Sequence, residues 1–402
     1  MTNVTVLNIP DAGNRQAPAF DWAAAAGQVA VDLAKDAAAR DRAGATPRRE
    51  LELLRASGLL SLLSPREHGG AGGSFTDALG AVRLIARADA SISQLLAYHY
   101  LHLTNAVWRA GAKQGEALSR ASVAGKWFWG GASNPRDPES TLVADEDGYR
   151  LNGAKTFASN ASLADRITLR AQLGDGFAVL VVPGDREGVS HGDDWDAIGQ
   201  RLSESGTVRF SNVRVEKNEI LGDPAAPPPA RTSLVVPFHQ LLIVNIYLGT
   251  AQGALAEASR YIREVSRPWQ ASGVARASED PYILEHYGDL DVEVRASVAL
   301  GDVAAQELEK ALARGDAITP AERNLAAAAI YAAKVHATRT GLEVTSRIFE
   351  LMGARATASR HAYDRFWRNI RTHTLHDPVT YKSREVGNYA LNGQLTALPL
   401  YS

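Results

Sequence analysis

Three segments in the C-terminal half of the chain, residues 240–266, 283–314 and 320–352, each carry an apolar stripe at helical spacing with no proline in the interior. Helices of that length, joined by short loops, bury their stripes against one another, which dictates a bundle. Residues 233–400 share this texture. Upstream, from Trp22 to about Ser122, alanine, leucine and charged residues also recur near every 3.6 positions, as in Leu51-Glu-Leu-Leu-Arg-Ala-Ser-Gly58. Gly58 and the cluster His68-Gly-Gly-Ala-Gly-Gly73 read there as a helix stop and a tight loop. Between the two, from Lys126 to Gly222, the period switches to 2. Runs such as Phe177-Ala-Val-Leu-Val-Val-Pro183 and Thr207-Val-Arg-Phe-Ser-Asn-Val-Arg-Val215, with turn signals at Asp147-Gly148 and Asn152-Gly153, predict antiparallel strands. A proline-rich link, Asp223–Pro229, ends that region. The expected class is α+β and multidomain: an N-terminal helical domain at 19–125, a middle antiparallel β domain at 126–228 and a C-terminal four-helix bundle at 229–402. Residues 1–18 are expected to be a loose polar tail.

Composition removes several functions. The formal charge of −2 lacks the basic excess that a nucleic-acid or anionic-membrane partner selects, so neither partner is expected. The chain has no cysteine, which excludes disulfides, thiolate metal sites and cysteine nucleophiles. The N-terminal residues lack the basic and apolar regions of a signal peptide, and no apolar run is expected to reach membrane-spanning length. A cytoplasmic location follows as the expectation. No G-x-S-x-G elbow is present. Gly69–Gly73 lacks the strand-before, helix-after setting of a phosphate loop.

The motifs that remain occur in a telling order. Ser64-Pro-Arg-Glu-His-Gly-Gly-Ala-Gly-Gly73, then Thr156-Phe-Ala-Ser-Asn-Ala161, then Ile198-Gly-Gln-Arg-Leu-Ser-Glu-Ser-Gly-Thr207 resemble three successive elements of the acyl-CoA dehydrogenase superfamily. With the helical–β–helical texture, the resemblance covers nearly the whole chain. It implies the acyl-CoA dehydrogenase fold and a flavin. The departures narrow it further. The family's dehydrogenases abstract a proton with a glutamate, commonly placed where this chain reads Arg371-Thr-His-Thr-Leu-His-Asp-Pro378. Segments that hold the adenylate half of FAD are replaced by Arg267-Pro-Trp269 and Met352-Gly-Ala-Arg-Ala-Thr357. An arginine in each suits a terminal phosphate, so FMN is expected over FAD.

Lys126-Trp-Phe-Trp-Gly-Gly-Ala-Ser-Asn-Pro135, Asp193-Asp-Trp-Asp-Ala-Ile-Gly199 and Arg365–Pro378 are similar to segments of dibenzothiophene and methanesulfinate monooxygenases. That subgroup resemblance implies an FMNH2- and O2-dependent enzyme that oxidises a small organosulfur compound through a flavin C4a-hydroperoxide. A separate NAD(P)H:FMN reductase would supply the flavin, and the enzyme would be a homotetramer. By the same resemblance, His376 faces the flavin's reactive edge as proton donor, and imidazole suits that work because it titrates near neutrality. Ser159 and Ser205 hydrogen-bond the flavin edge, Trp195 walls the ring, Ser133 and Asn134 touch the cofactor, and Arg267 and Arg355 grip its phosphate. His99, or His102 under a small gap, faces the substrate. Where the monooxygenases carry an asparagine, this chain has Gly131; either Asn134 or Asn160 would take over its hydrogen bond, or the flavin hydroperoxide would be stabilised differently.

Taken alone, these residues have plainer readings. Trp195 is a packing residue by its type, and Arg267 and Arg355 are surface ion-pair partners. His373 and His376 stand at metal-pair spacing without a third ligand, so no metal is expected. His68 and His239 read as structural. The alternative activities are an acyl-CoA dehydrogenase using Asp377 or Glu350 as base and an N-hydroxylating monooxygenase of the same fold. A flavin-free member serving as a binding protein is the remaining one.

Overall fold

The computed structural model describes residues 20–395, so the tail expected at 1–18 lies outside them. Six helices come first: α1 (Trp22–Ala34), α2 (Ala37–Ala43), α3 (Arg48–Ala56), α4 (Phe75–Ala86), α5 (Ala90–Arg109) and α6 (Gly111–Ala124). Seven strands follow: β1 (Trp129–Ala132), β2 (Ser140–Asp145), β3 (Gly148–Lys155), β4 (Arg166–Leu173), β5 (Gly176–Pro183), β6 (Val189–His191) and β7 (Val208–Val215). The chain ends in α7 (Val235–Glu264), α8 (Pro281–Leu312), α9 (Pro320–Met352), α10 (Asp364–His373) and α11 (Val379–Asn392). The helix boundaries have local causes. Thr319 and Glu322 form a capping box with Pro320 in the first turn of α9, and Ser74 and Asp77 form another at α4. Asp89 caps α5 by accepting from the amides of Ser91 and Ile92.

The sheet order is β1-β4-β2-β3-β7-β6, with β5 also on β4. Antiparallel pairing holds at β2–β3, β3–β7, β6–β7 and β4–β5. It fails at β4, which takes β1 and β2 as parallel neighbours. Adjacent alternating runs favour hairpins, whereas a parallel neighbour arrives through a longer connection that the local pattern does not encode.

The two helical regions share one core. Leu79, Val82 and Ile85 of α4 and Ile92, Leu95 and Leu96 of α5 join Phe238, Leu241 and Ile246 of α7 in a single apolar cluster. Gly249 and Gly253 make the α4–α7 contact possible, because a Cβ on either would lie 2.2 and 2.1 Å from the carbonyl oxygens of Arg83 and Arg87. α7 therefore corrects one expectation. Residues 230–264 are long and apolar enough to span a bilayer by length and composition, yet 83% of the most apolar stretch is buried in this core. An apolar helix buried all round is the centre of a large protein.

α5 is the other central helix, with every residue from Ala90 to Thr104 buried. His99, expected at the substrate, is fully buried instead and joins three elements. Its Nε2–H donates to the Leu60 carbonyl at 2.8 Å, and its Nδ1 accepts from the Trp129 amide at 3.2 Å. The ring also stacks on Phe128 at 5.7 Å. With both nitrogens spent on main chain, His99 has no hydrogen-bonding atom left for a substrate.

Burial holds His99 down to about 4 and the neighbouring His102 down to about 3. Both are therefore neutral in the native state and charge readily once unfolded. Folded values below the unfolded 6.5 mean that stability is fully present above that pH and is lost as pH falls through 6.5 towards 4. His99 alone then contributes about 3 kcal/mol. Urea unfolding measured from pH 7 to pH 4 should show a falling midpoint, and His99→Gln should flatten the slope. A pH-independent midpoint in the parent protein would contradict this assignment.

Candidate active site

Gln94 and Tyr98 lie one turn apart on α5 and so share a face. Gln94 reaches the β region. Its Nε2 donates to Ser159 Oγ at 3.3 Å, Ser159 Oγ lies 2.7 Å from Ser205 Oγ, and Ser205 Oγ lies 2.9 Å from Ser203 Oγ. Ser159 follows β3 in a loop where Phe157 and Asn160 take positive φ of 51° and 68°. Asn160 fixes that loop by donating from Nδ2 to the carbonyls of Leu95, at 2.9 Å, and Trp129, at 3.1 Å. Ser203 and Ser205 sit in the β6–β7 connection, which docks on α10. There the Gln200 amide donates to Asn369 Oδ1 at 2.7 Å, and Arg368 donates to the Ile198 carbonyl at 2.7 Å. Gly199 lets the backbones meet, since a Cβ there would lie 2.0 Å from the Arg368 carbonyl oxygen.

Tyr98 reaches the other way, into a histidine cluster. Its hydroxyl lies 3.4 Å from His373 Nε2. Its ring meets His239 edge-on at 5.0 Å, and His239 meets His376 in the same way at 5.0 Å. His376 Nδ1 lies 3.1 Å from Asp377 Oδ1. Burial holds His239 and His373 well below the ordinary histidine range and pushes the Tyr98 hydroxyl up, so all three are neutral at physiological pH. Asp377 is different. Burial alone would raise its carboxyl, but the hydrogen bond from His376 and the charges of Lys334 and Lys382 hold it well below the usual range.

The two clusters leave buried polar atoms without protein partners: Gln94 Oε1, Asn160 Oδ1, His239 Nε2, His373 Nδ1 and Tyr247 Oη. Orphaned atoms of this kind are costly unless a bound group satisfies them. The set fits a flavin ring, whose edge alternates donors and acceptors and whose faces take aromatic cover. Trp195 and Phe157 supply such cover beside the serines. Trp195 is half-buried, donates its indole N–H to the Gln200 carbonyl at 2.8 Å and meets Phe157 edge-on at 6.0 Å. Phe157 is 67% exposed, which is unusual for a phenylalanine and marks the mouth.

The remaining sequence candidates divide. Ser133 is exposed after β1. Asn134, expected at the cofactor, is instead a loop clasp: its Nδ2 donates to Thr156 Oγ1 at 2.9 Å and its Oδ1 accepts from the Arg136 amide at 3.1 Å. Asn160, the other residue expected to replace the asparagine missing at Gly131, spends its Nδ2 on main chain and keeps an unpartnered Oδ1. A Cβ at 131 would lie 1.9 Å from His102 Cε1, so the His102 ring fills that place, held by Thr168 Oγ1 at 2.9 Å from Nδ1. Arg267 and Arg355 are exposed on two loops joined by a hydrogen bond from Ser266 Oγ to the Met352 carbonyl at 3.1 Å. Those loops are remote from His376. α7 runs from His239, beside His376, to Glu264, just before Arg267, and those 25 residues span about 38 Å at the helical rise. One chain does not bring the arginines and the histidine together.

Gln94, Tyr98 and Ser203 are not legible in the sequence as site residues, and His239 reads there as structural. The available signal is the polar pair at i, i+4 in a helix that is buried along most of its length. Glu350, one alternative base, is exposed on α9 and pairs with Arg347 at 3.3 Å.

The sequence matches the acyl-CoA dehydrogenase N-terminal domain over residues 23–117, the middle domain over 130–213 and the C-terminal domain over 241–380. It is 43% identical to dibenzothiophene monooxygenase of Mycolicibacterium goodii, across 88% of this chain and 89% of the relative. The fold superposes on methanesulfinate monooxygenase MsuC of Pseudomonas fluorescens with a TM-score of 0.91, at 37% identity, covering 94% of this chain and 99% of that one. It also superposes on the dibenzothiophene monooxygenase TdsC of Paenibacillus sp. A11-2, solved with FMN and indole, with a TM-score of 0.91 at 38% identity over 95% and 99% of the two chains. With the serine cluster and the histidine cluster both reached from one face of α5, these matches mean that the chain belongs to the acyl-CoA dehydrogenase superfamily, in its flavin-dependent monooxygenase subgroup.

Proposed function

We propose that this chain is the oxygenase of a two-component system, taking reduced FMN from a separate NAD(P)H:FMN reductase and using O2 to oxidise a small organosulfur compound such as an alkanesulfinate, sulfone or thioether. The observation that carries the reading is that Gln94 and Tyr98, one turn apart on α5, lead to the serine cluster and to the histidine cluster of His376 and Asp377, with no glutamate in the 371–378 segment. Ser159, Ser205 and Gln94 would bond the flavin edge, and Trp195 would cover the ring. When bound, reduced FMN supplies the two electrons that activate O2. The protein's part is to exclude water, orient the sulfur compound beside the ring and supply a proton. His376 is the group for the last task, since its ring is hydrogen-bonded to an ionised carboxylate.

Arg267 and Arg355 would bind the phosphate of the flavin in a neighbouring subunit, which accounts for their distance from His376. The enzyme is then a homotetramer. α8 also exposes Leu284, Val292, Leu300 and Val303 in the single chain, an apolar surface that another copy would cover. The need for NAD(P)H and a reductase partner favours a cytoplasmic location. A dehydrogenase reading fares worse, because Asp377 is engaged by His376, Gln240 and two lysines rather than available to a substrate carbon.

FMN should bind more tightly than FAD, and Arg267→Ala or Arg355→Ala should weaken FMN binding by about 1.5–3 kcal/mol. Side-by-side titrations decide this, and a preference for FAD would reverse it. Anaerobic mixing of the flavin-loaded protein with acyl-CoA thioesters should leave the flavin spectrum oxidised, whereas bleaching by any of them would establish dehydrogenase chemistry. In an aerobic assay with a reductase, NADH, FMN and a panel of small sulfur compounds, at least one substrate should gain the mass of one oxygen atom. His376→Ala should lower that turnover by about 10²–10⁴-fold, with FMN affinity changed far less. Turnover confined to an amine or phenol panel would replace the substrate class.

A further inference from the structure

Asp377, in the loop between α10 and α11, is where side chains from three helices meet. Its Oδ1 lies 3.1 Å from His376 Nδ1, 3.4 Å from Gln240 Nε2 on α7 and 3.8 Å from Lys334 Nζ on α9. Its Oδ2 lies 3.8 Å from Lys382 Nζ on α11. The group is deeply enclosed, with Asp377 4% exposed, Lys334 and Lys382 1% each and the nearby Glu385 fully buried. Burying four ionisable side chains costs several kcal/mol per ion, and apolar residues of similar volume would pack the junction of α9, α10 and α11 more cheaply. Two lysines face Asp377, while Glu385 also pairs with Arg384 at 2.7 Å, so the arrangement holds an ionised carboxylate inside the protein at one chosen spot. That spot is His376 Nδ1.

An ionised carboxylate has acceptors only. The 3.1 Å contact therefore requires the hydrogen on Nδ1, and in the neutral ring Nε2 then carries the lone pair. We infer that Asp377 is a positioning residue that holds His376 in the Nδ1–H tautomer and in one ring orientation, so that Nε2 is the atom that takes up and delivers the proton, while Lys334 and Lys382 keep the carboxylate ionised. The inference rests on the reading of His376 as the proton-handling group. The other groups packed around His376 are consistent with it. His239 on α7 and His373 on α10 meet its ring edge-on at 5.0 and 6.3 Å, and Tyr98 on α5 lies behind His239. Burial keeps all three neutral, so they do not compete for Asp377. Burial also pulls Lys334 down to about 8, with Asp377's charge opposing it, so each group holds the other's ionisation.

The test uses the full-length apo-protein with 15N-labelled histidine, the His376 ring signals being those lost in His376→Asn. At pH 8 the parent should show His376 as the Nδ1–H tautomer. In Asp377→Asn the preference for the Nδ1–H tautomer should weaken, because an amide can present its NH2 to the ring as readily as its oxygen. Turnover at neutral pH should fall about 10–100-fold, the loss of a group acting through the proton donor, with KM and FMN affinity within about twofold. Asp377→Asn leaves two buried lysines facing an amide, so the paired variant Asp377→Asn/Lys334→Met removes a cation with the anion and should show the same weakened tautomer preference and lowered turnover. An Nε2–H tautomer in the parent, or an unchanged tautomer ratio in both variants, would overturn the inference. Unchanged turnover in His376→Ala would instead remove the reading on which it rests, and the tautomer measurement separates the two failures.

Discussion

Because residues 90–104 of α5 are buried without a break, every polar side chain among them has to find its partner inside the protein. Each side chain does so in a direction set by its place on the helix. His99 turns to Leu60 and Trp129, His102 to Thr168, Gln94 to Ser159 and Tyr98 to His373. The first two fasten the helix to its surroundings, and His99 spends both its ring nitrogens in doing so. The second two leave atoms unsatisfied, at Gln94 Oε1 and His373 Nδ1. The same burial thus separates scaffold from site. The polar groups that are fully paired hold the fold, and the ones left partly unpaired mark where a ligand belongs.

The parts of this architecture that are legible in the sequence are those with local causes. The long helices of the bundle follow from their stripes, and Thr319-Pro-Ala-Glu322 announces the start of α9 by its chemistry alone. Ser159 and Ser205 can be named because they stand in recognisable segments, though 46 residues separate them and only the fold puts their hydroxyls 2.7 Å apart. What stays hidden is set by tertiary contact. Nothing in β4 says that its neighbours are parallel. Nothing in Tyr98-His-Tyr-Leu-His102 says which histidine is spent on main chain, because that depends on where Leu60 and Trp129 arrive. Asn134 misleads for the same reason: its partners, Thr156 and Arg136, are fixed by how the loop closes on β3.

Gly131 shows how a departure from a family pattern can be neutral in place and informative in cause. An asparagine there would collide with the His102 ring at under 2 Å. The two positions are therefore coupled. A chain with histidine at 102 in this orientation needs glycine at 131, and restoring the asparagine alone would force the ring out and break its bond to Thr168. Any polar contact that the asparagine makes in related enzymes must come from elsewhere in this one, and the unpartnered Asn160 Oδ1 and Gln94 Oε1 lie on the loop and helix that border the same strand.

The exchange of a glutamate for the Thr374-Leu-His-Asp-Pro378 segment changes what the pocket can do with a proton. A carboxylate poised as a base takes a proton from carbon only if it is held near the substrate and is not already satisfied. Asp377 fails both conditions, being 4% exposed and occupied by Gln240, Lys334, Lys382 and His376. The carboxylate sits one step back from the reacting groups, and the His376 imidazole takes the forward position. A carboxylate behind an imidazole does not remove protons from substrate itself. It fixes the ring and stabilises the charged form that the ring passes through. The fold thus keeps an acid at the junction of α10 and α11 but surrounds it with an imidazole, an amide and two lysines, which leaves it unsuited to removing a proton from a substrate carbon.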